Sequence, residues 1–468
     1  MKIQKLYDNS PIWMQNIACT IKGSLDKKNR MGGDFNIILN DLQKLEWLKK
    51  GEIENIQIKE LKKIINYCYN NVPYYTELFD SISLKPSDIN TIKDLEKIPI
   101  LTKELVRENF EKLKNPNFNG EILQAHTSGS TGKSLHFNFS KDAIQYRWAL
   151  WFRHKARFGV KPSDPYATFT GLPAIPLNQN KPPYWRENRA MKQTIFTMHH
   201  INVNTVESIV ERLNKGGFVY YSGYPSILFF LATLIADMNL KITKFPKVIF
   251  TGAEALLYHQ RNKISKVFNC LVTDQYGFSE GCGNASRCEN DLFHEDFEYG
   301  VLECNNPVKN DDGSYTGSVL ATGFTNLAMP FIRYEVGDTA TWLDIDCKCG
   351  RKSKTIREVN GRNEDFVITP EGNKILRFDY IFKDTSSIIE SQVVQRELGS
   401  ITIRIVKRSN YNNEKMETHL KKEVNSKISK TLKVSFEYIN EIERDATGKF
   451  RAVKTYLKNY NETNHTVL

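Results

Sequence analysis

No part of this chain is apolar for long enough to cross a bilayer. The longest such run, Ile227–Ala236, is already broken by Thr233, far short of the roughly 18 residues a membrane helix needs. Lys2 and Lys5 precede Asp8 and Asn9 with no apolar stretch between them, so a signal peptide is not expected and a cytoplasmic location is. A basic block interleaved with aromatics is also missing. The 65 Lys and Arg outnumber the 54 Asp and Glu for a net charge of +11, but they are dispersed along an Asn-, Ile- and Lys-rich sequence. That dispersal argues against nucleic acid and for a mild attraction toward anionic nucleotides, CoA or nucleotide sugars. Internal repeats are absent, and the polar tail Asn459–Thr466 is the one biased tract. Eight cysteines in a chain of this kind do not make a disulfide framework.

What is present is a globular composition. With 468 residues, 40% hydrophobic and 25% charged, the chain can bury a large core and divide into two or three domains. Its most informative stretch is His126-Thr127-Ser128-Gly129-Ser130-Thr131-Gly132-Lys133-Ser134. Glycines let a backbone bring its N–H groups against an anion, hydroxyls add donors, and a lysine adds a point charge suited to phosphate. A Walker loop ending at Gly132-Lys133-Ser134 would need glycine where Thr127 stands, so the NTPase reading fails on spacing. By itself the stretch is either a phosphate cradle or a plain solvated turn.

Further signals follow in order. Thr251-Gly252-Ala253-Glu254 closes the strand-like run Lys247–Phe250, and Asp274-Gln275-Tyr276-Gly277-Phe278-Ser279-Glu280 closes Leu271–Thr273. Tyr334-Glu335-Val336-Gly337-Asp338, Gly361-Arg362-Asn363-Glu364-Asp365 and Asp445-Ala446-Thr447-Gly448-Lys449 come after them. An aromatic at a strand end can stack on a purine, a nearby carboxylate can hold Mg²⁺ against phosphates, and an acid after a glycine can accept two ribose hydroxyls. Each alone can equally mark a turn; six in series make a site.

The organisation suits that reading. The first hundred residues read as helical, with Leu61, Ile64, Ile65 and Cys68 on one face. Asn204 and Glu207 form a capping pair for a helix carrying Val206, Ile209, Val210 and Leu213; Gly216-Gly217 ends it, Phe218–Tyr221 is a strand, and Pro225 opens the next helix. The βα rhythm through Thr273 predicts an α/β fold with a mainly parallel sheet and a site at strand C-terminal ends. After Arg362 the pattern changes to a strand at 401–405, a helix at 414–430 and a strand at 434–439, a small α+β domain. Expected boundaries are 1–360 and 361–468. Tyr221, Tyr224, Ser226, His199 and His200 are candidates for a substrate pocket or for its surrounding core.

Cys19, Cys68 and Cys270 sit in apolar surroundings and read as core thiols, with Cys282 and Cys304 as spare candidates for ligation. Cys288 and His294, joined with Cys347 and Cys349, offer three thiolates and an imidazole, a full tetrahedral set for structural Zn²⁺. The unusual spacing leaves zinc and a fortuitous grouping both open.

On these motifs, and on Pro11-Ile12-Trp13-Met14-Gln15-Asn16, Val72-Pro73-Tyr74-Tyr75 and the Tyr276–His294 block, the chain resembles the adenylate-forming (AMP-forming) enzymes. The likeness is to their phenylacetate–CoA ligase branch, nearest to relatives from capsule and surface-polysaccharide biosynthesis. The resemblance implies a large N-terminal domain binding ATP and a carboxylate, and a small mobile C-terminal lid. It implies adenylation of a carboxylic acid with pyrophosphate release, then transfer to CoA, or else to an amine or sugar acceptor; a non-catalytic nucleotide- or carbohydrate-binding homologue is the contrasting class. Thr127, Ser128, Gly129, Ser130, Thr131, Gly132 and Lys133 would hold the phosphates. Gly252, Ala253, Glu254, Asp274, Gln275, Tyr276, Gly277, Asp338 and Arg362 would form the rest of the ATP site, with Tyr276 on adenine and Asp338 on ribose. Glu280 would bind Mg²⁺, Lys449 would bridge carboxylate and α-phosphate, and Thr131 would join them in catalysis. Glu364 or Asp365 would be the hinge. Similar C-x-C-G-R segments in some members of the branch favour the zinc reading of Cys347-Lys348-Cys349-Gly350-Arg351. Two departures stand out: Lys133-Ser134 replaces the usual Pro-Lys, and Glu364 stands where an Asp is usual.

Overall fold

In the computed structural model the described residues are 2–126, 135–172, 174–362, 366–371, 374–375, 378–382, 385, 387–408, 411–444 and 450–457. The chain forms two compact units, one built mainly from residues 1–359 and the other mainly from 360–468. The first begins, as its periodicity predicts, with helices: α1 (Lys2–Asp8), α2 (Ile12–Met31), α3 (Phe35–Leu45), α4 (Lys50–Asn71), α5 (Pro73–Ser81) and the short α6 (Lys103–Glu108). Leu61, Ile64, Ile65 and Cys68 on α4 are all buried. Strands β1 (Ile122–His126) and β2 (His136–Ser140) then pair as an antiparallel hairpin, followed by α7 (Lys141–Ala156).

Next comes the α/β portion: β3 (Tyr166–Thr170), β4 (Arg186–Asn188), β5 (Gln193–Thr197), α8 (Val206–Asn214), β6 (Tyr220–Gly223), α9 (Pro225–Asp237), β7 (Val248–Thr251), α10 (Tyr258–Phe268) and β8 (Leu271–Gly277). Strands β5, β3, β6, β7 and β8 lie side by side and parallel. Their alternation sorts side chains between two faces. Ala167, Phe169, Tyr221, Ile249 and Val272 join the core under α8–α10, whereas Tyr166, Tyr220, Val248 and Phe250 form a separate cluster on the opposite side.

From β8 onward the same sheet turns antiparallel. It continues through β9 (Asn284–Arg287), β10 (Phe293–Glu295), β11 (Gly300–Lys309), β12 (Tyr315–Gly323), β13 (Tyr334–Leu343) and β14 (Thr355–Arg362), giving twelve strands in the order β11-β12-β13-β14-β10-β9-β8-β7-β6-β3-β5-β4. The βα rhythm predicts the parallel part; the antiparallel extension arises because the chain after β8 returns through short turns that leave no room for a crossover helix.

The second unit has a small hairpin, β15 (Val367–Ile368) with β16 (Lys374–Ile375), and a four-stranded sheet of β17 (Ile388–Gln395), β18 (Ser400–Lys407), β19 (Lys433–Tyr438) and β20 (Val453–Thr455) in the order β19-β18-β17-β20. Helix α11 (Asn413–Lys427) packs Leu420 and Val424 on Val393, Ile401 and Ile403.

One local expectation is corrected. The cap residue of α8 is Thr205, not Asn204, and no side chain caps the helix. Instead the Thr205 hydroxyl donates to the His200 carbonyl at 2.6 Å, and the Asn204 N–H is taken by Asn202 Oδ1 at 2.9 Å. The local Asx turn wins over the capping box.

Beneath β9 and β10 lies a buried charge cluster. Arg153 on α7 donates to Asp296 and Glu298 at 2.5 Å each, all three almost fully buried. Beside it Arg157 and Arg351 meet Glu46 at 2.9 and 3.5 Å. Arg153→Ala leaves two buried carboxylates without this counter-charge and is expected to destabilise by about 3–5 kcal/mol. Lys141→Ala, which opens the exposed Lys141–Glu121 pair, is expected to cost about 0–1 kcal/mol. Urea denaturation of both variants checks the contrast.

Candidate functional site

The parallel strands end along one edge, where an α/β sheet gathers ligands. After β7, Ala253 takes a left-handed backbone with φ of +68°, a conformation few non-glycine residues hold without support. That turn sends Glu254 to the start of α9, where its carboxylate accepts the Ser226 N–H and the Ser226 hydroxyl, both at 3.1 Å. A carboxylate at a helix N-terminus is held by the orphan N–H groups and the helix dipole. Glu254, Ser226 and the half-buried Tyr224 thus come together, and Gly252 leads into the same turn.

Past β8 the chain places two carboxylates by tyrosine hydroxyls. Tyr276 donates to Asp338 Oδ2 at 2.9 Å, and Tyr334 donates to Glu280 Oε1 at 2.7 Å. Both rings are buried, as is Glu280. Burial and the Asp338 carboxylate push the Tyr276 phenol well above its ordinary value, so its proton stays on as donor. Gly337, between the two motif acids Glu335 and Asp338, has φ of +86°, and a Cβ built there would lie 3.0 Å from Lys103 Nζ. Lys103 reaches this point because residues 99–103 are laid along β13: Leu101 N–H donates to the Arg333 carbonyl, and Glu335 N–H to that of Leu101.

The β1–β2 hairpin meets the same region. A Cβ on Gly281, next to Glu280, would strike Phe139 of β2 at 2.8 Å, and Arg147 lies over the Phe139 ring while reaching the Ser279 carbonyl. The strand leaving residues 127–134 is therefore packed on the turn that carries Glu280.

Other candidates are occupied differently. Asp274 is buried in an ion pair with Arg287, which also lies over the Phe293 ring at 3.9 Å. Gln275 donates to Ser286 Oγ at 3.0 Å, toward β9. Gly277 stays exposed beside Asn284. Of its two readings Tyr221 takes the core one: it packs against Phe169, Phe218 and Phe268 because strand alternation turns it to the face that α8–α10 cover. His200 is buried with Nδ1 3.0 Å from Thr197 Oγ1, whereas His199 is exposed. Burial, with the neighbouring His199, lowers the His200 pKa.

A second constellation lies in the antiparallel half. Cys288 follows β9, His294 sits on β10, and Cys347 and Cys349 follow β13; their ligand atoms all lie within 4.8 Å of one another. Cys288 and Cys347 Sγ are 3.7 Å apart, and Cys349 Sγ is 3.3 Å from His294 Nε2. A tetrahedron with metal–sulfur bonds of about 2.3 Å sets its sulfurs about 3.8 Å apart. Burial, then Arg157, lowers His294 to about 4, so the imidazole is neutral, the form that ligates. The donor set and its spacing fit zinc. Cys304 and Cys282 lie outside the set.

Comparison with known proteins decides the class. Residues 367–456 match the CapK C-terminal domain family. Protein CapK of Staphylococcus aureus is 26% identical over 450 residues, covering 95% of this chain and 98% of that protein. The phenylacetate–coenzyme A ligase of Escherichia coli K12 is 24% identical over 70% of this chain and 75% of its own length. A crystal structure of 2-hydroxyisobutyryl-CoA ligase in the postadenylation state, at 16% identity, shares the fold with a TM-score of 0.68 over 87% of this chain and 91% of that one. The chain belongs to the adenylate-forming superfamily. Within it, it falls in the phenylacetate–CoA ligase-like branch, related to CapK.

For this adenylate-forming chain several expected residues lie outside the described ones: Thr127, Ser128, Gly129, Ser130, Thr131, Gly132 and Lys133, the hinge pair Glu364 and Asp365, and Lys449. Arg362 ends β14. Tyr334 and Lys103 were not among the sequence candidates. Tyr334 opens a motif already singled out and had a readable signal; Lys103 depends on the pairing of Leu101 with β13, which no local pattern announces.

Proposed function

We propose that the chain is an AMP-forming carboxylate ligase that adenylates a carboxylic acid with ATP and passes the acyl group to CoA. The observation carrying this is the pair of tyrosine-held carboxylates, Glu280 and Asp338, beside the hairpin that flanks the hydroxyl- and glycine-rich residues 127–134. In this reading residues 1–360 bind ATP and the acid, and 361–468 act as the lid.

Asp338 accepts the ribose hydroxyls, and Tyr276 fixes its orientation while offering its ring to stack on the base. Residues 127–133 donate to the β- and γ-phosphates, with Lys103 adding positive charge beside Asp338. Glu280 would hold Mg²⁺, which neutralises phosphate charge. The substrate carboxylate oxygen attacks the α-phosphorus and pyrophosphate leaves. The thiol of CoA then attacks the acyl carbon, AMP leaves, and the thiol proton passes to solvent. Tyr224, Ser226, His199 and His200 remain pocket-wall candidates. A sugar or amine acceptor is the second reading, supported by the alignment with CapK over nearly all of both chains and by the CapK C-terminal domain match, where the ligases align over 70% of the chain.

With ATP, Mg²⁺ and a panel of carboxylates headed by phenylacetate, the expected products are AMP and pyrophosphate. ADP as the product overturns the reading, and nucleotide binding without turnover makes the chain a binding homologue. Running the panel with CoA, amines and sugars separates the acceptors.

Lys449→Ala is expected to slow adenylation by about 10²–10³, the usual loss for one charge-stabilising donor. Transfer from a supplied acyl-adenylate should be largely intact, because the repulsion between two anions exists only in the first half-reaction. Equal losses in both halves would remove the lid role.

We also infer that Cys288, His294, Cys347 and Cys349 hold one structural zinc. Metal analysis should find one zinc per chain and a loss of it in Cys347→Ser, together with a lower melting temperature. Zinc-free purified protein of full stability contradicts the inference.

A further inference from the structure

Helix α2 is fixed to the protein along one side only. Buried Gln15 donates to the Tyr7 and Ser10 carbonyls and accepts Arg186 Nε at 2.6 Å. Asn16 Oδ1 accepts the Glu187 N–H, Thr20 Oγ1 accepts that of Arg189, and Gly23 leaves just enough room for the Asn188 side chain. These contacts settle the rotation of the helix.

The opposite side carries large apolar residues at a spacing of four: Trp13, Ile17, Ile21 and Leu25, with Met14 beside them. Their exposures are 63, 50, 59, 61 and 45%. The row runs about 18 Å along the axis. Soluble proteins seldom leave so continuous an apolar row in water without a partner. The charges on this face have one sign. Lys22 and Lys27 flank the row, Lys28 closes its end, and all three are exposed. The helix's one carboxylate, Asp26, lies on the other side and is paired with Arg30 at 3.3 Å. Tyr7 of α1 also donates to the Ala174 carbonyl at 2.6 Å, and the loop it ties down bears Leu172 and Leu177, both more than half exposed.

We propose that this face of α2 docks on an anionic lipid surface as an in-plane, peripheral helix. An apolar row with a tryptophan at one end and lysines along both flanks is the pattern that settles at the headgroup boundary. No helix among the described residues is long and apolar enough to cross a membrane, so the helix lies on the bilayer. A second copy of the chain is the poorer occupant. A two-fold pairing of this face would set lysines against a like-charged partner, on a protein already at +11.

Vesicle co-sedimentation of the full-length protein tests this. The protein should sediment with vesicles of phosphatidylcholine containing phosphatidylglycerol, far less with phosphatidylcholine alone, and less as salt rises. Ile17→Ser/Ile21→Ser should lower partitioning by about tenfold or more. Lys22→Glu/Lys27→Glu/Lys28→Glu, confined to solvated positions, should abolish the preference for anionic vesicles, so the test holds even if the apolar variant folds poorly. Circular dichroism and pyrophosphate release should match the parent. Absence of sedimentation, or variants that bind like the parent, overturns the proposal. So does a dimer in light scattering that Ile17→Ser/Ile21→Ser disperses without any lipid binding.

Discussion

Two phenol hydroxyls set the geometry on which the site depends. Strand β8 is where the sheet changes from parallel to antiparallel; Glu280 lies in the turn that follows it, and Asp338 lies on β13, further into the antiparallel part. Tyr276 and Tyr334 each reach across and donate to one of them. The bonds are made inside a buried cluster, where a hydrogen bond to a carboxylate is stronger than in water and a missing one costs more. Phenylalanine would fill the same space at either position and leave an acid without its donor. The aromatic ring provides packing and the hydroxyl provides aim.

Rigidity behind β8 has a separate source. β9 and β10 follow it directly, and three devices fix them. Asn284 and Ser286 on β9 both donate to Asp296, which Arg153 also holds. The Trp151 indole of α7 donates to Asn284 at 3.3 Å. The thiol and imidazole cluster joins the turn after β9 and the strand β10 to the segment after β13. Arg157 links the two systems: it pairs with Glu46 and Glu289 while helping to keep the nearby His294 imidazole neutral. Charge network and ligand cluster thus brace the same two strands from adjacent sides. This explains why Asp274 and Arg287, adjacent to both, serve as a structural pair although Asp274 belongs to a motif read as nucleotide-binding.

What the sequence made legible follows physical range. Helix and strand periodicity found α8, the start of α9, β6 and β7 to within a residue or two, and the buried face of α4, because those signals are local; β8 runs four residues past the expected Thr273, and β3 and β5 were not read. Cys288, His294, Cys347 and Cys349 could be grouped because few residue types ligate metals, so chemistry substitutes for distance along the chain. Tyr221 was left between pocket and core because a tyrosine near a strand end suits either; only the register with Ala167 and Ile249 shows that it faces the helices. The antiparallel half was invisible for a related reason. Strands such as β9, with all four residues buried, carry no alternation to read. The capping pair Asn204 and Glu207 failed where an Asx turn two residues earlier already satisfied the backbone.

The division of labour between cations connects these buried systems to the surface. Inside the protein the positive charges are almost all arginine: Arg153, Arg186, Arg287 and Arg351 are each less than a tenth exposed. A guanidinium can satisfy two carboxylates, or several amide carbonyls, through one planar fork, as Arg186 does with the side-chain oxygens of Gln15 and Gln179 and the Pro183 and Trp185 carbonyls. Lysine, with a compact and strongly hydrated charge, suits water. The buried exception among the described residues, Lys155, lies against the rings of Phe152, Tyr220 and Phe250, and burial lowers it to about 8. Because interior needs are met by arginine, the chain's many lysines are free to set the surface potential. Their effect is largest where carboxylates are scarce and apolar residues are exposed beside them. On α2, whose inner side is fastened by Gln15, Asn16 and Thr20, that combination is held in one fixed orientation.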